Sequence, residues 1–143
     1  MKRHSTDDLI HMIEELPSAE YLTDYAQETI RDGSTSFCEF LNEKREQAGI
    51  TAGELIRRAN LQRTYGYQIL SGVKRPGRDK VIALALALGF SLDETQRALK
   101  IAQEGALYPR THRDSVLIFS IQKQLTVSET NALLYEQKEL PLN

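Results

Sequence analysis

Residues 50–76 read ITAGELIRRANLQRTYGYQILSGVKRP. The stretch divides into a short helix, a tight turn, a second helix and a basic loop. Leu55, Ile56 and Ala59 supply the inner face of the first helix. Asn60 holds the turn, because a corner between helices wants positive φ and Asn tolerates it better than other non-glycine residues. Leu61 returns an apolar group to the core. Tyr65, Ile69 and Leu70 recur at i, i+4 and i+5 and give the second helix a buried side. Its opposite side carries Arg63, Thr64, Tyr67 and Gln68. Such residues read base edges in a major groove: Arg bidentate to guanine, Gln bidentate to adenine, Thr adaptable. Gly72 ends the helix, and Lys74 and Arg75 follow where a loop can grip phosphates. Gln62 before the helix and Arg78 after the loop complete the candidate phosphate set.

The charge distribution singles out the same window. The chain has 143 residues and a net charge of −2, with 41% hydrophobic and 27% charged residues, as in a globular protein rather than a disordered one. Residues 1–34 are net −5, 35–55 net −2, and 81–143 net −1. Residues 56–80 carry seven basic side chains (Arg57, Arg58, Arg63, Lys74, Arg75, Arg78, Lys80) against Asp79, for +6. A solvated face is the plain reading of such a run. On an acidic protein it is also the footprint of a phosphate-binding surface.

Outside the window the pattern is helical throughout. Helices are expected near 6–16, 18–31, 37–48, 52–59, 63–71, 79–88, 92–104, 113–124 and 127–138. Capping boxes precede four of them, Ser36/Glu39, Thr51/Glu54, Ser91/Glu94 and Thr126/Glu129. Gly49, Gly72, Gly89 and Gly105 fall past helix ends, where a left-handed residue is wanted. Segment 81–90, VIALALALGF, alternates like a strand, but its alanines favour a buried helix. Residues 78–99, RDKVIALALALGFSLDETQRAL, align without gaps to 113–134, RDSVLIFSIQKQLTVSETNALL, at an offset of 35 with six identities. A repeat of that size is one helical hairpin, which cannot bury its apolar stripe alone, so two stacked hairpins are expected with Leu117, Ile121 and Leu134 buried.

The stretch FLNEKREQAGIT, the pair Leu55-Ile56, the turn Ala59-Asn60-Leu61, Ile69, Gly72-Val73-Lys74-Arg75-Pro76 and the following IALALALGFSLDE resemble the Cro/cI, or lambda-repressor-like (XRE), helix-turn-helix family over about residues 37–104. The resemblance implies a bacterial transcription regulator that binds operator DNA as a homodimer. It places Arg63, Thr64 and Gln68 where the family reads bases and Thr51 where it meets phosphate. Ile56 replaces a usual small residue, Asn60 a glycine, and Gly66 an apolar core residue, at about 1 kcal/mol of helix propensity. Gln62 is a weak N-cap. Leu70 replaces an acid that the family pairs with a helix-one arginine, which leaves Arg45 pointing to water.

Other chemistry is poorly supported. His112-Arg113-Asp114 shares three residues with the kinase catalytic loop, but the Asn required five residues past the Asp is Phe119 here. His4, His11, His112 and Cys38 lack zinc-ligand spacing. Cys38 reads as a small core residue. No run of 18 apolar residues occurs, the N-terminus turns acidic where a signal peptide turns apolar, and one cysteine suits a reducing cytosol. The expectation is therefore an all-α, lambda-repressor-like helix-turn-helix bundle: an acidic N-terminal helical arm (1–34), a DNA-binding domain (35–105) and a C-terminal helical hairpin (106–143). It is expected to be cytoplasmic, without cofactor, metal or membrane contact, and not an enzyme. The expected partners are double-stranded DNA and a second copy, with a protein partner possible through the acidic arm. The alternative reading is a protein-interaction module, such as an antitoxin or adapter on the same fold.

Overall fold

In a computed structural model the described residues are 36–143 together with Ile10, His11, Glu14 and Ala19. The arm helices expected at 6–16 and 18–31 lie outside the described residues apart from those four positions. Residues 36–143 form one unit of seven helices. They are α1 (Phe37–Gln47), α2 (Ala52–Arg58), α3 (Arg63–Ser71), α4 (Arg78–Ala87), α5 (Leu92–Ile101), α6 (His112–Gln122) and α7 (Val127–Glu136). No strand occurs among the described residues.

Local chemistry sets the helix ends. Ser91 and Thr126 form complete capping boxes with Glu94 and Glu129. Ser36 and Thr51 cap one way only, each accepting from the backbone three residues on. Glu54 does not return the bond, because its carboxylate holds Arg57 and Arg58 instead. Asn60 takes φ +57° in the α2–α3 turn, as the turn requires. Gly49, Gly72 and Gly89 have positive φ, but Gly105 does not: the left-handed residue after α5 is Gln103, because the helix ends two residues earlier than the glycine suggested.

Helix α4 is apolar all round, and Val81 through Leu86 are all buried. Such a helix has to be covered on every side. Helices α1 and α2 cover the α4–α5 hairpin on one side, and α6 and α7 cover it on the other. Leu55, Ile69, Ile82, Leu99, Leu117 and Leu134 are each at most 1% exposed in one continuous core. Leu117, Ile121 and Leu134 are buried as the repeat requires.

Two departures named above are one feature. Gly66 is buried in α3 directly over Ile56 of α2. A Cβ on Gly66 would lie 2.6 Å from Ile56 Cγ1 and 2.9 Å from its Cδ1. The large side chain at this crossing comes from α2, and the glycine of α3 is the socket for it. Arg45 is a correction. It does not point to water: it donates to Ile50 O at 2.9 Å and to Asn42 Oδ1, and so ties α1 to the loop before α2. Asn42 in turn donates to Leu70 O at 2.8 Å, closing the end of α3. Arg45 bonds a carbonyl and an amide oxygen and lies 3.8 Å from Glu46 Oε1, instead of pairing with an acid at position 70. Cys38 is half-buried rather than in the core, with its thiol 3.3 Å from the Ser36 hydroxyl.

Candidate nucleic-acid interface

Helix α3 buries Gly66 and Ile69 and packs Tyr65 and Leu70 against the core. That fixes which side faces out. Arg63, Thr64 and Tyr67 are exposed, and Gln68 is half-buried at the edge of the same face. The Arg63 guanidinium sits over the Tyr67 ring, 5.8 Å from its centroid. Stacking of this kind stiffens a long side chain without consuming its N–H donors. The Tyr67 hydroxyl approaches the first turn of α2, 3.6 Å from where a Cβ on Gly53 would stand. Tyr67 thus reaches α2 within van der Waals range, two residues from the Thr51 cap. Nothing in the sequence pattern connects Gly53 to Tyr67, since the pairing depends on how α2 crosses α3.

The phosphate candidates divide. Thr51 is exposed at the start of α2, and its hydroxyl accepts from Glu54 N at 3.2 Å, which leaves the hydroxyl proton for a ligand. Gln62 caps α3, its Oε1 accepting from Tyr65 N at 2.8 Å, so only its amide N–H groups remain to donate. Gly72, at φ +84°, turns the chain out of α3, and Val73 N and Lys74 N both donate to Gln68 O. The Lys74 and Arg75 side chains stand exposed just beyond. Arg75 donates to Gln103 Oε1 at 2.6 Å, a partner that carries no charge of its own.

Arg78, also a phosphate candidate, is engaged within the fold: it forms a bidentate pair with Asp114 at 3.0 and 2.7 Å and also donates to Gly105 O and Ala106 O. Asp114 is 7% exposed. Burial pushes its carboxyl up, but Arg78 and the Tyr108 N–H outweigh that and hold it below the usual aspartate value.

The basic window is thus less free than its count. Arg57 and Arg58 both bond Glu54, whose carboxyl these hydrogen bonds lower to about 2, Arg57 contributing most. With Arg78 also paired, the charges of the window without an acidic partner among the described residues are Arg63, Lys74, Arg75 and Lys80, and the first three border the exposed side of α3 and the loop after it. Among the described residues no helix is long and apolar enough to cross a membrane.

A family described as a helix-turn-helix domain matches residues 37–98, which span α1 to most of α5. No curated protein and no solved structure matches the chain. The matched segment contains both helices of the motif, the Asn60 turn and the two helices that cover them. The chain carries a helix-turn-helix domain over residues 37–98, a fold consistent with the Cro/cI-like family and with DNA-binding regulation in general.

Proposed function

We propose that the protein is a sequence-specific, Cro/cI-type regulator that reads duplex DNA with α3. The observation that carries this reading is the division of α3. Its inner side is locked by Ile69 and the Ile56–Gly66 contact, and its outer side offers Arg63, Thr64, Tyr67 and Gln68 beside the exposed cations of Lys74 and Arg75. Base-reading types on a rigid helix next to phosphate-gripping charge are the two halves of DNA recognition.

Arg63 opens α3, so a helix entering the groove by its N-terminal end presents it from the tip. Gln68, five residues on, flanks Thr64 rather than stacking with it. Selection of a preferred site from random duplexes, followed by titration of variants, tests the assignment. Gln68→Ala costs about 1–3 kcal/mol on the selected site and little on random DNA, whereas Lys74→Ala weakens both alike and lowers the salt slope. Equal losses on both DNAs for Gln68→Ala would show that α3 does not read sequence.

A second reading, a protein-interaction module, is favoured by one observation on the last hairpin. Phe119, Tyr135 and Leu140 are 48%, 83% and 77% exposed there. It gains ground if no duplex DNA binds at low salt. The opening of α6 by His112-Arg113-Asp114 supports the non-enzymatic reading, since Arg113 and Asp114 are bonded to Asp79 and Arg78.

A further inference from the structure

The repeat is longer than its sequence identities, and its two copies face each other. Arg78 of the first copy pairs with Asp114 of the second, and Arg113 of the second pairs with Asp79 of the first at 2.9 and 3.1 Å. Each arginine also binds the segment that follows the second helix of its own copy, at matching offsets of 35. Arg78 donates to the carbonyls of Gly105 and Ala106, and Arg113 to those of Leu140 and Pro141. Gln96 holds Leu107 N, and its counterpart Asn131 holds Leu142 N, both leucines being buried. Positive φ recurs at Gln103 and Lys138, and at Gly89 and Gln124. The repeat therefore runs over 78–107 and 113–142.

The contacts between the copies are reciprocal. Helix α4 packs on α7 as α6 packs on α5. Stacking by translation would give one-way contacts, with one copy's arginine reaching the other and no return. At the centre, Gln124 Nε2 donates to Gly89 O, so a position touches its own counterpart. Reciprocal pairs and a self-contact are the marks of a two-fold axis, and a self-complementary surface around such an axis is the geometry of a symmetric homodimer.

We propose that the 113–142 hairpin is an internal stand-in for a second subunit. It occupies in cis the self-association face of the 78–107 hairpin, so the protein meets DNA as a single reading head. The tether explains why cis prevails. A short linker sets an effective concentration in the millimolar range, about a thousandfold above a second copy at micromolar concentration. A chain with one α3 and its pairing face already filled reads one half-site, without the palindrome that mirrors a two-fold dimer. The homodimer implied by the family resemblance is replaced by a dimer-like arrangement inside one chain.

The test uses the full chain and needs no DNA. One variant carries Arg78→Asp with Asp79→Arg, and another carries Arg113→Asp with Asp114→Arg. Each alone sets like charges across both pairs, in cis and in any self-exchange, whereas the first hairpin of one complements the second hairpin of the other. Wild type is expected to sediment as a monomer up to about 100 μM. The two variants, refolded together from denaturant, are expected to form a one-to-one heterodimer by exchanging hairpins, and neither does so alone. The chain with all four substitutions is expected to be a stable monomer again. A wild-type dimer at low micromolar concentration, or no heterodimer from the mixed variants, overturns the proposal. Failure of DNA binding leaves these readouts untouched, so the two readings fail separately.

Discussion

The two hairpins share a plan and differ in what covers them. Leu84 and Ala98 of the first are each 2% exposed, because α1 and α2 lie over that face. Their counterparts are Phe119, 48% exposed, and Leu133, half-buried. Ala102, buried, corresponds to the exposed Gln137. The same helix–turn–helix chemistry, with the same caps and the same Arg-Asp opening, is thus used once as the centre of a core and once as its outer wall. Repeat identity includes the Arg-Asp pairs through which the copies touch each other and the Glu-Thr caps within each copy. Divergence sits where one copy meets the helix-turn-helix motif and the other meets solvent. On the open side His112, Val116, Phe119, Leu133 and Gln137 border a shallow groove.

The largest expected effect breaks this comparison at its identical leucines. Leu99 and Leu134 are both fully buried. Truncation of a buried leucine costs about 2–5 kcal/mol, and the cost depends on how far the site can collapse. Leu99 is enclosed on both sides of its hairpin, so Leu99→Ala falls at the upper end of that range. Leu134 lies in the outer hairpin, which has freedom to settle, so Leu134→Ala falls at the lower end. Urea unfolding of the full chain measures both, and equal losses would show that coverage by α1 and α2 does not distinguish the hairpins.

The crossed ion pairs give the next effect. The Asp114 side chain is 11% exposed, whereas that of Asp79 is 39% exposed. Hydrogen bonds to buried charged groups are worth about 1.5–3 kcal/mol, so Asp114→Asn destabilises by roughly that amount. Asp79→Asn stays near 0–1 kcal/mol, as for exposed pairs. The Asp114 carboxyl is held below its ordinary value of 3.8. A lowered carboxyl contributes stability above its unfolded value and loses it as pH falls through the folded one. The gap between wild type and Asp114→Asn therefore closes on acidification below about pH 4. A gap that stays constant from neutral to acid pH would mean that the carboxylate charge is not what holds the hairpins together.

A smaller effect belongs to the motif and shows what was legible from sequence. Helix ends, the Asn60 turn and two complete capping boxes follow from residues three or four apart, and each is visible in the chain text. The outward side of α3 is legible for the same reason. Arg78 and Gly66 are not, because only the crossing of helices brings Asp114 and Ile56 to them, and Arg45 is not, because its acceptor is the backbone carbonyl of Ile50, whose availability no residue type announces. A sequence reading scores Gly66 as a propensity defect, whereas its packing makes it a requirement. Gly66→Ala destabilises by about 1–3 kcal/mol through overpacking on Ile56. Ile56→Ala costs about 2–5 kcal/mol alone. The double variant loses less than the sum, because alanine then gains its helix propensity with no clash. Strict additivity in a double-mutant cycle would refute the socket.

The smallest effect marks where the outer hairpin has acquired a feature of its own. His112 corresponds to Gly77 in the first hairpin, which has no side chain to pair. His112 Nδ1 lies 2.9 Å from Glu139 Oε1 and Nε2 lies 3.2 Å from Gln137 Oε1, so both ring nitrogens face oxygen acceptors. A neutral imidazole can donate from only one nitrogen, and the charged ring from both. The Glu139 hydrogen bond, with Gln137 second, accordingly raises the His112 pKa above its ordinary 6.5. For a raised histidine the sign is opposite to that of Asp114: the stabilisation is complete below the unfolded value and is lost as pH rises through the folded one. The ring is solvent-exposed, so the effect is sought in its NMR titration rather than in melting. His112 titrates above 6.5 in the wild-type chain. Glu139→Gln brings it back towards that value, and Gln137→Ala moves it less. Comparison with Asp114→Asn then separates two opposite pH responses in one hairpin, the inner face weakening in acid and the outer pin weakening towards alkaline pH. A His112 titration indifferent to Glu139→Gln would leave the outer hairpin without this pin, and its pH response would rest on Asp114 alone.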